Sequence, residues 1–252
     1  MRVISLVPSL TETLLDCGVN VVGRTRFCIH PADKVSQIPA VGGTKAVDWE
    51  RCAALKPDLI VMDREENTRE MAESCPYDWV ATHITSVNNV GVAMLLLAER
   101  IDNEPLNDLA QGWNELAAIT PQAINTLSEL PGLECLVGDP AGDIQKIEYL
   151  IWRDPWMSIG QQTFIGSVLT LVGLGHALPD HPVPYPALDE DVLPELDTLY
   201  LFSTEPFPFA RYVAELTAQG FHGAVVDGEF YSWFGSRSYR LLKSHLLQVT
   251  AG

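Results

Sequence analysis

Four aromatic-rich segments follow apolar runs in the second half of the chain. They are IWRDPWMSIG, carrying Trp152 and Trp156; PVPYP, carrying Tyr185; EPFPF, carrying Phe207 and Phe209; and EFYSWFGSR at 229–237, carrying Trp233 and Arg237. Flat rings cover the apolar surface of a ligand, while an arginine or a serine fixes its polar edge. One such segment is explained by core packing. Four of them, each after a strand-like run, point to a ligand wall, because open α/β sheets bind ligands beyond the carboxyl ends of their strands.

Residues suited to catalysis are sparser. Cys28-Ile29-His30 offers two soft ligands on one loop, with His83, His176, His181 and His222 scattered elsewhere. A metal site needs three or four converging ligands, so His30 reads as a loop or cleft residue and no metal is expected. Gly42-Gly43-Thr44-Lys45 lacks the full spacing of a phosphate loop and reads as a turn that projects Thr44 and Lys45. Ser203, Ser232 and Ser236 lack the G-x-S-x-G elbow. Glu65-Glu66 and Asp189-Glu190-Asp191 sit at expected helix starts, where the dipole favours carboxylates. No catalytic residue and no required cofactor emerge.

Composition sets the partner class. The chain has 252 residues, 47% hydrophobic and 19% charged, with 16 Lys and Arg against 33 Asp and Glu, a net charge of −17. That balance excludes a nucleic-acid partner, which draws on clustered cations, and fits a small-molecule ligand or docking onto a basic surface. The five cysteines form no C-x-x-C pair, so neither a disulfide framework nor a cysteine-only zinc site is expected. MRVISLVPS lacks the apolar region and cleavage site of an export signal. As written, the chain is expected in the cytoplasm, or in the periplasm if a leader has been trimmed.

Strand and helix patterns alternate. RVISLVP, NVVGRT, LIVMD and WVATHI read as strands, and LECLVGD, EYLIW, TLYLFS and HGAVVD as a second set. Helices are expected from a Ser9–Glu12 capping box, over 47–55, over EENTREMAESC, over 87–100, and over 161–172, 209–219 and 237–249. Alternation of this kind predicts βα units and mainly parallel sheets. Between the two sets, Leu106, Leu109, Ala110, Trp113, Leu116 and Ala117 share one helical face. The expected organisation is an α/β lobe over 1–103, a connecting helix over 104–131 kinked at Pro121, and an α/β lobe over 132–252.

The ordered set RVISLVPSLTETL, VVGRTRFCIHP, VGGTKAVDWERCAALKPDLIV, IWRDPW, PVPYP and SWFGSR resembles the helical-backbone metal-receptor family, the class III periplasmic substrate-binding proteins, which include the vitamin B12 binders of ABC importers. The resemblance runs over nearly the whole chain. It implies two Rossmann-like α/β lobes joined by a long backbone helix, with a corrinoid, haem or ferric siderophore held in the cleft between them. Carried over by position, it implies an N-lobe wall of Ser9, Arg26, Phe27, Cys28, His30, Thr44, Lys45, Arg64 and Asn67. The C-lobe wall it implies is Trp152, Trp156, Tyr185, Trp233 and Arg237. Glu50 and Glu190 resemble the lobe-tip glutamates that dock on an ABC permease through complementary charge. Thr44 and Asp63 stand where vitamin B12 binders carry rings, which implies a more polar N-lobe wall.

The resulting expectation is a non-enzymatic metal-chelate binder for transport. An alternative is a cytoplasmic enzyme of the same fold, in which Arg26, Lys45, Arg64 and Arg237 clamp a small anion and His30 transfers a proton. A third is an interaction module whose aromatic loops meet a protein.

Overall fold

The computed structural model describes residues 1–140 and 142–250, with the side chains of 248–250 left aside. The chain divides into two compact units. The first is Met1–Ala117 together with Trp233–Arg240, and the second is Ala118–Ser232 with the chain from Leu241 onward.

The first unit contains strands β1 (Val3–Ser5), β2 (Val21–Arg24), β3 (Leu59–Asp63) and β4 (Trp79–Thr82) in the order β2-β1-β3-β4, all parallel. Central strands of a parallel sheet are covered on both faces. That is why Val3, Ile4 and Leu59–Met62 are apolar without alternation and every residue of both strands is buried. The helices of this unit are α1 (Pro8–Asp16), α2 (Ala32–Val35), α3 (Trp49–Leu55), α4 (Arg69–Glu73), α5 (Val87–Ile101) and α6 (Glu104–Ala117). Ile4, Leu6, Ile60 and Met62 meet Cys52 of α3 and Met71 of α4 in one core.

The second unit contains β5 (Leu133–Val137), β6 (Ile147–Trp152), β7 (Met157–Ser158), β8 (Leu199–Ser203) and β9 (Gly223–Val226) in the order β5-β9-β8-β6-β7. It also holds α7 (Phe164–Leu169), α8 (Val213–Ala218) and α9 (Gly228–Ser232). The last helix, α10 (Ser236–Thr250), begins in the first unit. The three central strands are parallel, whereas β5 and β7 pair antiparallel at the edges.

Several local expectations change. Ser9 does not cap α1: Pro8 occupies the first turn, Val7 is the N-cap residue and no side chain caps the end. Proline suits that position because its missing N–H would have had no partner there. The helix expected over 104–131 stops at Ala117, and beyond it only Leu127–Glu129 forms a short 3₁₀ turn. Thr120 and Pro121 lie outside any helix, so the expected kink at Pro121 does not occur. EENTREMAESC is helical only over Arg69–Glu73, with Thr68 accepting from the Met71 N–H as the cap. EFYSWFGSR is not one loop, since Gly228–Ser232 is a helical turn and Ser236 opens α10.

Candidate functional site

The turn VGGTKAV closes as its sequence suggests. The Gly43 N–H donates to the Ala46 carbonyl at 2.7 Å, and Gly42 bridges to Val47. Gly42 has φ +150°, and a Cβ there would lie 2.4 Å from the Ala46 carbonyl oxygen. The turn projects Lys45, whose ammonium donates to the Glu65 carbonyl at 3.0 Å. Thr44 is half-buried, and its carbonyl accepts from Asn67 at 2.9 Å.

Asn67 is a brace rather than a wall residue. Its amide also donates to the Leu6 carbonyl at 3.1 Å, and its Oδ1 accepts the Asp63 N–H at 3.0 Å. One buried side chain thereby ties together the loops after β1 and β3 and the Thr44 turn. Asp63, fully buried, accepts from the Thr82 hydroxyl at 2.6 Å and the Glu65 N–H at 2.8 Å. Burial nevertheless raises its carboxyl above the usual range, and Glu66 is raised by the same cause.

After β2, Arg26 and Phe27 stand exposed, with the guanidinium 4.7 Å from the ring centre. Cys28 does not join them. It is buried, accepts from the Thr11 hydroxyl at 3.0 Å, and has its thiol pKa raised by that burial. The expectation of Cys28 as a wall residue is corrected: the side chain packs into the unit. Ser9 is also buried inside α1, where its carbonyl accepts from Thr13 at 2.8 Å. Arg64 is exposed, and its guanidinium has no hydrogen-bond or ion-pair partner among the described residues. It lines a pocket of about 490 Å³ with Thr68, Arg69 and Trp79.

Trp233, although late in the chain, belongs to the first unit. Its ring meets His30 edge-on at 5.4 Å, and the Arg237 guanidinium lies 5.4 Å from its centre. Arg237 is not an open anion contact, because it forks onto Glu12 at 2.8 and 2.9 Å. Sequence reasoning assigned Glu12 to a cap and missed this role.

In the second unit the two tryptophans of WRDPW separate. Trp152 ends β6, is 40% exposed, and meets Phe207 edge-on at 5.7 Å. Trp156 is only 7% exposed and stacks on Phe209 at 5.9 Å with planes 7° apart. Trp156 is therefore core, and its expected place in the wall is corrected. Tyr185 is 42% exposed. Its proline-rich loop is held by backbone bonds from Ser158 to Pro186 and from Gly160 to Pro184. Phe207 is partly buried and packs against both Trp152 and the core ring of Phe209.

Glu50 is exposed in the first turn of α3, and Glu190 is exposed in a 3₁₀ turn capped by Asp189. Among the described residues, no three His, Cys, Asp or Glu side chains converge to hold a metal. No helix of the described residues is long and apolar enough to cross a membrane.

The chain folds into two α/β units and is similar to periplasmic binding proteins in family pattern, sequence and fold. Residues 3–87 match the periplasmic binding protein family. The vitamin B12-binding protein of Salmonella typhimurium is 27% identical over 199 residues, covering 75% of this chain and 67% of that protein. Among solved structures, the periplasmic vitamin B12 binding protein of Vibrio cholerae superposes with a TM-score of 0.67 at 17% identity, over 99% of this chain and 96% of the other. The apo periplasmic heme-binding protein of Roseiflexus sp. RS-1 gives a TM-score of 0.67 at 16% identity, over 98% and 96%.

Proposed function

We propose that the chain is a non-enzymatic binding protein for a metal chelate of the corrinoid, haem or ferric siderophore class, acting as the substrate-binding component of an ABC importer. The observation that carries this reading is the exposure of Trp152 and Tyr185, large rings held at the carboxyl end of β6 and on the loop bound to β7. Tyrosine and tryptophan are enriched where a surface meets a ligand or partner, since they offer an apolar face and a polar handle together. Within the first unit, Phe27 stands exposed beside Arg26, and Trp233 meets His30. The relatives named for vitamin B12 and heme support the ligand class.

Arg26 and Arg64 are the cations offered to anionic edges of the chelate, while Lys45 is held at Glu65 and Arg237 is neutralised by Glu12. Glu50 and Glu190 are offered to arginines of a permease, and an importer of this kind places the protein in the periplasm. Calorimetric titration with cobalamin, cobinamide, haem and a ferric siderophore tests the reading. One of them is expected to bind at micromolar concentration or tighter, and failure of all four overturns it.

A further inference from the structure

Four charged side chains close on one another in the first unit. Glu12 and Asp16 come from α1, and Arg237 and Arg240 from the start of α10. Glu12 is 5% exposed, yet both its oxygens are engaged: Oε2 by Arg237 Nε at 2.8 Å and Oε1 by Arg237 Nη2 at 2.9 Å. Arg240 approaches Glu12 at 3.7 Å and binds Asp16 at 2.7 Å. Asp16 also accepts from the Ser236 hydroxyl at 2.7 Å, and Thr13 accepts the Ser236 N–H at 3.0 Å.

This arrangement is not what α10 would choose alone. Two arginines at a helix start oppose the macrodipole, so their placement answers to α1. A two-point fork fixes a guanidinium plane as a single contact does not. The plane fixed here is the one 5.4 Å from the Trp233 ring centre, with His30 closing on that ring from another side at 5.4 Å. The backbone on either side of Phe234 is tied down as well. The Trp113 indole donates to the Gly235 carbonyl at 3.1 Å, and the Trp233 carbonyl accepts from the Ser238 hydroxyl.

We infer that Glu12 is a positioning residue: through its fork onto Arg237 it sets the plane of Trp233 and so the shape of the first unit's ligand wall. The inference rests on the reading of Trp233 as a wall residue. It also removes Arg237 from the anion-binding set, since a carboxylate of the chain already occupies the guanidinium.

The test uses the full chain labelled with 5-fluorotryptophan, with the Trp233 resonance assigned through Trp233→Phe. In Glu12→Gln the Trp233 fluorine line is expected to shift or broaden without ligand, while those of Trp49 and Trp79 stay in place. Arg237→Lys keeps the cation and loses the fork, and is expected to move the same line; it decides the matter should Glu12→Gln fail to fold. Glu73→Gln, which breaks the exposed pair to Arg69, is the control and moves nothing. For a chelate that binds the wild type, Glu12→Gln is expected to weaken binding about tenfold, equivalent to roughly 1.4 kcal/mol. A folded variant with the Trp233 line unchanged overturns the inference. A wild type that binds no chelate overturns the functional reading instead, and the fluorine line still decides whether Glu12 sets Trp233.

Discussion

Replacing Trp156 by alanine separates a core ring from an exposed ring with identical chemistry four residues away. Trp156 stacks on Phe209, approaches Phe221 at 5.3 Å, and carries Arg153 at 5.4 Å from its ring centre. Truncating a buried tryptophan costs about 3–5 kcal/mol, and each lost aromatic pair accounts for about 0.5–1.5 kcal/mol. A value of about 4 kcal/mol is a large share of the 5–15 kcal/mol that ordinarily holds a domain. Hydrogen exchange of the β8 and β9 amides reads opening of the second unit alone. At about 1.4 kcal/mol per tenfold, Trp156→Ala should speed exchange there by roughly a thousandfold. Trp152→Ala removes a half-exposed ring with one edge contact, and should cost under about 1 kcal/mol, less than roughly tenfold. A Trp156→Ala effect below tenfold, or equal effects from the two variants, would refute the assignment of core and exposed ring.

Gly235 has φ +115°, and a Cβ there would lie 2.1 Å from Thr13 Oγ1. Gly235→Ala should therefore cost about 3 kcal/mol from backbone strain and overpacking. The melting midpoint should fall by roughly 6–12 °C, and a shift under about 2 °C would count against the packing described. Native alkylation followed by intact mass should modify exposed Cys135 before buried Cys28 or Cys52, because burial raises the Cys52 thiol to about 11 and raises Cys28 too; early labelling of Cys28 would contradict its position. Glu66 is raised above its ordinary 4.5, chiefly by burial. The folded chain thus keeps a proton that the unfolded chain releases. Its contribution to stability is fully present below 4.5 and is lost as pH rises through the higher folded value. In urea titrations Glu66→Gln should gain stability relative to wild type on going from pH 4 to 7, and a constant difference would refute the shift.

Much of the fold is legible because its signals are local. LIVMD is apolar up to Met62 because it is a covered central strand, and VGGTK closes where glycines permit it. What escaped depends on distant partners. The Ser9–Glu12 spacing suits a capping box, but Pro8 claims the first turn, and Glu12 finds its partner 225 positions away. The antiparallel edges β5 and β7 follow from how the chain re-enters the sheet, which no periodicity records. Trp152 and Trp156 are alike in composition and flanks. The turn between them, with Asp154 at φ +64°, sends one ring outward and the other into the Phe209–Phe221 cluster. The 104–131 segment looked like a continuous helix because its apolar face is clear up to Ala117, while the residues beyond supply no such face.

The central claim is the proposal that the exposed rings of Trp152 and Tyr185 take up a metal chelate. The most direct measurement is a titration of wild type, Trp152→Ala and Tyr185→Ala with the four chelates, followed by calorimetry. The account predicts saturable one-to-one binding of at least one chelate by the wild type, weakened about tenfold or more in each variant. Tight binding that neither substitution weakens, or no binding by the wild type, would contradict it.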